Sequence, residues 1–485
     1  MAAKEFIVAI ELGSSKMTGI AGTKNLDGSI NVLAVVKENS SSFIHKGVVY
    51  NIDRTAQCLS NIVNKLTKQL KTEIRQVYVG VGGQSIRSLR NVITKNLVVD
   101  TKVTQDMVIE LMDANRNMTY TDQEIIDAAV QEYKVDNQYQ IDPVGIQCKR
   151  LEGNFLNILG RKTFYNNLNR CFETAGIPIA EMYLAPLALA DSVLTEAEKR
   201  SGCALVDIGA DTVTVSVYSK NILRHLSVLP LGSSNITKDI ASLQQIEESE
   251  AEKMKLKYGC AYTDNADIDN TLMLPIDQER KIESHKFIEI VESRLEEIIE
   301  NVLHQIPTEY TDKLLGGIIL TGGGSNMKNI EKAFANHAHI DKIRIAKFVT
   351  QTVTSSNPEI TARNGMMNTV LGLLAKGDMN CAGGEATEAD LFSTSNKQPV
   401  ATAERTKARQ AAETPTGVVR TEAEKQQAEE EARRKREEEE RLKQEEAAEE
   451  ERRRRDERKK NSLFYKCVNG LKRLGETMTK EETDN

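Results

Sequence analysis

Up to about residue 380, short apolar runs alternate with stretches whose apolar residues recur every three or four positions. Buried strands and amphipathic helices in alternation predict an α/β protein. One arrangement occurs twice. Residues 6–12 are apolar except for Glu11 and run into Gly13, Ser14, Ser15 and Lys16; residues 204–208 are apolar except for Asp207 and run into Gly209, Ala210, Asp211 and Thr212. In both copies the carboxylate lies two positions before the glycine. A second β-rich run follows each, residues 17–21 in the first copy and 213–218, with strict alternation, in the second. Two β-turn-β units this far apart predict a duplicated α/β domain of two lobes, one hairpin from each facing a cleft.

Past residue 380 the pattern lapses. Gly383 and Gly384 open a stretch of Ala, Thr, Ser and Glu with few large apolar residues, and residues 381–419 read as a disordered linker that cannot bury enough surface to offset its ordering entropy. Residues 420–460 hold 15 basic and 16 acidic side chains among good helix formers, with many opposite-charge pairs four apart and no sustained apolar heptad. A solvated, partly helical spacer is predicted there. Apolar character then returns on one stripe: Leu463, Phe464, Cys467, Val468, Leu471, Leu474 and Met478 recur at helical spacing. Lys466, Lys472 and Arg473 flank the stripe, and residues 452–473 hold ten basic and two acidic residues. An apolar face with basic flanks suits an anionic membrane surface; a groove on the protein's own core or on a partner would suit it equally. The long charged tether favours the membrane, because it gives the tip reach.

Composition narrows the classes further. The chain has 485 residues and a net charge of −7, which speaks against a globally basic nucleic-acid binder. No apolar run reaches the ~18 residues a membrane span requires, and residues 1–6 lack a secretory apolar stretch. Seven dispersed cysteines without a CxxC pair read as reduced thiols rather than a disulfide or zinc framework.

The repeated turns supply candidate chemistry. A glycine turn with free N–H groups and hydroxyl neighbours can cradle phosphate. Seen once, it is an ordinary turn; seen twice across a cleft, it can grip a polyphosphate from both sides. Glu11 and Asp207 suit Mg²⁺, which takes oxygen ligands, and Lys16 adds a point charge for phosphate. Residues 316–327 form a third glycine loop: a strand, then Gly322, Gly323, Gly324 and Ser325, then a helix-like stretch from Lys328, so that backbone can approach a ligand closely. A P-loop, an H-E-x-x-H motif and a G-x-S-x-G elbow are absent from the sequence, and residues 80–85 read as a plain turn.

In this order the three loops resemble the actin/Hsp70/hexokinase superfamily, and within it the FtsA family of bacterial cell-division proteins. The resemblance spans roughly residues 5–376 plus the C-terminal tip. Residues 10–16 resemble the first phosphate loop, 205–212 the second and 318–327 the adenosine loop; residues 175–194 and 361–374 resemble the two connecting segments. Residues 141–145 with Leu151 and Glu152 resemble the family's own inserted subdomain. The resemblance implies an actin-like fold with two lobes around a nucleotide cleft. Its parts would be a 1A-like subdomain (1–85), an inserted 1C-like subdomain (86–163), the rest of lobe 1 with the start of lobe 2 (164–232), a small 2B-like subdomain over the nucleotide (233–305), the end of lobe 2 (306–380), a disordered, charged linker (381–460) and an amphipathic membrane-targeting helix (461–480). On the same ground Glu252 and Lys255, otherwise an ordinary helix-surface pair, would hold the ribose.

The family implies ATP and Mg²⁺ as ligands, self-association into filaments, and tethering of the FtsZ ring, with other division proteins, to the cytoplasmic face of the membrane at the septum. The FtsZ groove would lie near residues 235–305. Two departures bear on chemistry: Glu11 replaces the usual Asp, and Ala185 stands before Pro186 where chaperone relatives place an acid that orients water. Without such a group, at most slow ATP hydrolysis is expected. A sugar-kinase-type phosphotransferase, which needs a substrate base in the cleft, a chaperone and a pilus-assembly relative are the alternatives on this fold.

Overall fold

A computed structural model describes residues 5–382 except 265, 267, 270, 278, 339 and 341, then 417–419 and 421, and five single positions farther on (Lys425, Glu430, Arg433, Arg434 and Arg441). Residues 1–421 form one compact unit; residues 422–485 form a second, in which those five positions are helical. The membrane candidates Leu463, Phe464, Val468, Leu471, Lys472, Arg473 and Leu474 lie outside the described residues.

The first lobe begins with strands β1 (Ile7–Leu12), β2 (Lys16–Lys24) and β3 (Ile30–Asn39), then the short hairpin β4 (Ile44–His45) and β5 (Val48–Val49), helix α1 (Ile52–Leu70) and β6 (Val77–Val81). Helix α1 starts where the Asn51 side chain accepts from the Arg54 N–H, and it buries Leu59, Ile62, Leu66 and Leu70 at helical spacing against the sheet. The chain next forms an inserted unit: β7 (Arg87–Lys102), α2 (Gln105–Arg116), β8 (Gln123–Val135), β9 (Gln138–Gln140) and β10 (Gln147–Arg161). It has its own small core around Leu111, Tyr133, Leu151 and Phe155. Helix α3 (Lys162–Ala175), β11 (Ile179–Leu184), α4 (Ala185–Val193) and α5 (Glu196–Ser201) complete the crossover.

The second lobe comprises β12 (Cys203–Ile208), β13 (Val213–Ser219), β14 (Ile222–Leu229), α6 (Ser233–Gln244), α7 (Glu248–Tyr258), the hairpin β15 (Met273–Pro275) and β16 (Lys281–Glu283), α8 (Ser284–Gln305) and α9 (Thr308–Thr311). Then come β17 (Gly317–Thr321), α10 (Ile330–Ala338) and β18 (Ile343–Ile345). The last elements return to the first lobe: β19 (Val353–Thr354), α11 (Pro358–Thr361), α12 (Asn368–Lys376) and β20 (Val418–Val419).

The two sheets share one plan. In the first the order is β19-β3-β2-β1-β6-β11-β20, with β1 antiparallel to β2 and parallel to β6. In the second, β14-β13-β12-β17-β18 repeats it, with β12 antiparallel to β13 and parallel to β17. Each central strand is therefore one of the two apolar runs with an embedded carboxylate. The inserted strands continue the second sheet, joining β14 to β7 at the pair Ser227–Arg87. Leu226 N–H donates to Ser88 Oγ at 2.8 Å and Gln131 Nε2 to the Leu223 carbonyl at 3.0 Å.

Two readings need correction. Part of the stretch read as disordered linker belongs to the first-lobe sheet: Cys381 is buried and its N–H donates to the Phe6 carbonyl at 2.8 Å, while β20 pairs antiparallel with β11. The cause is local. Val418 and Val419 are β-branched, and Val419 is only 2% exposed, a burial that stabilises by roughly 1.5–3 kcal/mol. The second correction concerns the third glycine loop. The helix begins at Ile330 rather than Lys328, because the Gly323–Asn326 segment winds into a 3₁₀ turn and Asn329 adopts φ +62°.

Candidate functional site

Both glycine turns are built by the same close approach. A Cβ on Gly13 would sit 2.6 Å from the Lys16 carbonyl oxygen, and one on Gly209 would sit 2.8 Å from that of Thr212. The register behind each turn matches as well: Glu11 lies opposite Thr18, and Asp207 opposite Thr214. A side chain at either glycine must push the backbone apart. Gly209→Val is expected to lower stability by about 2 kcal/mol in urea unfolding.

The turns converge on a third element that the sequence does not advertise. Between β4 and β5, Lys46 and Gly47 both take positive φ, +52° and +72°. Gly47 N–H donates to Ser14 Oγ at 2.8 Å, and Lys46 N–H donates to the Asp211 carboxylate at 3.3 Å. One turn is thus held by a residue from each hairpin, one per lobe. Its other side rests on Gly83: a Cβ on Gly47 would fall 2.6 Å from the Gly83 Cα. The run 80–85, read as a plain turn, is split: Gly80 and Val81 belong to β6, and Gly82 with Gly83 supports the site.

The third loop joins from β17, where Thr321 lies beside Asp207 in parallel register. Gly322 stands at φ +85°, and a Cβ there would collide with Asp207 Oδ1. Ser325 Oγ donates to the Gly322 carbonyl at 2.7 Å and closes the 3₁₀ turn. Asn326 Nδ2 donates to the Asn364 carbonyl at 2.8 Å, tying this loop to residues 361–374.

Glu252 and Lys255 stand behind the second turn. Lys255 Nζ lies 2.7 Å from Glu252 Oε2, 3.0 Å from the Ser233 carbonyl and 2.8 Å from Thr237 Oγ1. Ser233 and Ser234, at the start of α6, donate N–H groups to the carbonyls of Gly209 and Ala210 at 3.0 and 2.8 Å. The buried ammonium therefore fixes α6, and α6 fixes the turn. Glu252 keeps more surface.

Glu11 and Asp207 are half-buried, and neither carboxyl has a hydrogen bond among the described residues. Burial, and then the neighbouring Asp207 charge, push Glu11 up to about 8; burial pushes Asp207 up to about 6. Lys37 pulls Glu11 the other way, but its ammonium is paired with Glu359 at 3.0 Å. Two mutually repelling, poorly hydrated carboxyls are a donor set that a divalent cation fits, since the cation removes the repulsion that raises Glu11.

The pair has a consequence for stability. An unfolded chain releases the Glu11 proton near its ordinary 4.5, whereas the native protein holds it to about 8. Between those values the native state binds more protons at Glu11, so the contribution of Glu11 to metal-free stability is full below 4.5 and is lost as pH rises through 8. Melting in EDTA is expected to show Tm falling by about 5 °C from pH 5 to 8, and Mg²⁺ to cancel most of the fall. A slope unchanged in Glu11→Gln would assign it to other groups.

At the start of α4, Ala185 and Pro186 present no polar side chain toward Gly82; a Cβ on Gly82 would lie 3.8 Å from Ala185 Cβ. Among the described residues, no helix is long and apolar enough to cross a membrane.

The family model described as "Cell division protein FtsA" matches residues 204–372, and that of the "SHS2 domain inserted in FTSA" matches residues 83–159. The cell division protein FtsA of Porphyromonas gingivalis is 33% identical over 327 residues, 66% of this chain and 68% of that protein. That of Neisseria meningitidis is 32% identical, covering 67% and 80%, and that of Bacillus subtilis 31%, covering 70% and 78%. Among solved structures, a chain of the PilM–PilN type IV pilus biogenesis complex superposes with a TM-score of 0.52 at 15% identity, over 76% of this chain and 97% of that one, a likeness of fold. With its doubled sheet plan, its inserted unit and relatives at this level of identity, the chain belongs to the FtsA family of actin-like cell-division proteins.

Proposed function

We propose that the cleft binds ATP with Mg²⁺ and that the bound head assembles into filaments which tether the FtsZ ring, together with other division proteins, to the cytoplasmic face of the membrane at the septum. The observation that carries this reading is the single turn, Lys46–Gly47, bonded to Ser14 of one hairpin and Asp211 of the other beside two repelling carboxyls.

In this reading Gly13, Ser14, Ser15 and Lys16 meet the phosphates from the first lobe, and Gly209, Ala210, Asp211 and Thr212 meet them from the second. Glu11 and Asp207 hold the cation, which neutralises phosphate charge when bound. Gly322, Gly323, Gly324 and Ser325 form the wall for the adenosine, and Glu252 with Lys255 lies at the ribose. Ala185 cannot orient a water, so the nucleotide acts as a conformational ligand and hydrolysis is slow. The tip, residues 461–480, binds anionic lipid as an in-plane helix, and many tips on one filament add their affinities.

Calorimetry of full-length protein with ATP tests the core of this reading. Binding is expected with Mg²⁺ and to be weaker in EDTA; no binding in either buffer would remove the reading. Steady-state ATP turnover is expected to stay low and unchanged when hexoses are added. A sugar-dependent rise would favour the phosphotransferase alternative.

A further inference from the structure

The first-lobe sheet would end at β11, whose outer edge would leave main-chain groups unpaired. Residues 417–419 close that edge. The Gly417 carbonyl accepts from Leu184 N–H at 2.5 Å, Val418 lies opposite Tyr183, and Val419 lies opposite Met182 and plugs the core at 2% exposure. Gly417 takes φ +71°, and its own N–H turns to the Asp127 carboxylate of β8 in the inserted unit, at 2.9 Å. A Cβ on Gly417 would sit 3.4 Å from Leu187 Cβ. Four features thus read the segment: a conformation that favours glycine, a main-chain donor on β11, a carboxylate facing the segment's first N–H, and an apolar socket for its last side chain.

We propose that the β11 edge and Asp127 together form a strand-accepting site for an extended Gly-Val-Val segment, filled in cis by this chain's own tail as a releasable clasp. Recognition is by strand addition, with main-chain bonds for affinity and the Val419 socket for selection. Two residue pairs are a small holding, set against the seven pairs of the neighbouring lobe's β13–β14 hairpin. Closing the loop through residues 383–416 costs an entropy that grows slowly with length. With the clasp closed, the tail beyond Thr421 starts from this edge. With it open, residues 383–416 add up to roughly 120 Å of contour. The clasp therefore sets the length of the tether, whatever the tip binds.

Hydrogen exchange on the full-length protein tests the site. The Leu184 amide, which donates to the tail, is expected to exchange at least about tenfold faster in Val419→Asp and in Asp127→Ala than in the wild type, with β1 and β6 unchanged. Equal rates in all three proteins overturn the proposal. A labelled peptide of residues 414–421 is expected to bind the Val419→Asp protein at least about tenfold more tightly than the wild type, whose site is filled. Equal binding, or binding to neither, overturns it. Finally, Tyr183→Cys combined with Val418→Cys places two thiols opposite each other. Oxidation is expected to join them within one chain; a covalent dimer, or no bond, overturns the cis clasp.

Discussion

Asp207→Ala is expected to weaken Mg²⁺·ATP binding by at least about 100-fold in calorimetry, roughly 2.7 kcal/mol, with little change in unfolding. Asp207 lies near the end of the central strand of the second sheet, beside Thr321 and against Gly322, and with Glu11 it forms the carboxylate pair proposed to hold the cation. The substitution halves the carboxylate pair. It also removes the neighbouring charge that helps push Glu11 up. Two readouts should therefore move together: affinity falls, and the metal-free loss of stability toward pH 8 becomes shallower because Glu11 ionises more readily. Asp207→Asn, which keeps the shape, separates charge from packing and should behave like the alanine variant. Unchanged affinity in both would mean that the cation is held elsewhere.

Removing the tail is expected to have the second large effect. Full-length protein should co-sediment with vesicles containing anionic lipid, and a chain ending at Thr421 should lose at least about nine-tenths of that binding at equal protein concentration. The basic residues of 452–473 contribute about 1 kcal/mol each where they approach the surface, and the apolar stripe adds its burial. The sign of each part can be separated. Raising salt should weaken the charge contribution. Phe464→Glu with Leu471→Glu should abolish the apolar part at low salt. If the shortened chain sediments as well as the whole, the tip is not the anchor and the partner-groove reading takes its place. Ending the chain at Thr421 rather than earlier matters, because Val419 belongs to the head.

What the sequence made legible follows from the length and periodicity of its signals. The hairpins around Gly13 and Gly209 could be read because each combines a long apolar strand, an embedded carboxylate and a glycine, and because the pattern recurs. The matched strand order of the two sheets is the three-dimensional form of that repeat. The Lys46–Gly47 turn could not be read: its flanking strands are two residues each, and its importance lies in contacts from Ser14 and Asp211, both distant in sequence. The strand at Val418–Val419 was hidden for the same reason. A two-residue strand has no period, and its partner Met182 lies far back in the chain. Lys255 was visible only as half of a helix pair, while its hold on the Ser233 carbonyl depends on how α6 packs.

The seam between Ser227 and Arg87 gives the inserted unit an unusual mechanical allegiance. By chain connectivity it interrupts the first lobe, yet its strands extend the second lobe's sheet, and Ser88 and Gln131 bolt it to β14. Its β8 and β10 also grip the first lobe, through Leu156 and Ile158 in that lobe's core and through the Asp127 carboxylate that accepts from Gly417 N–H. The insert is thus a strut stapled to both sheets, and any rotation of one sheet against the other must strain either the Ser88 and Gln131 bonds or the Asp127 bond.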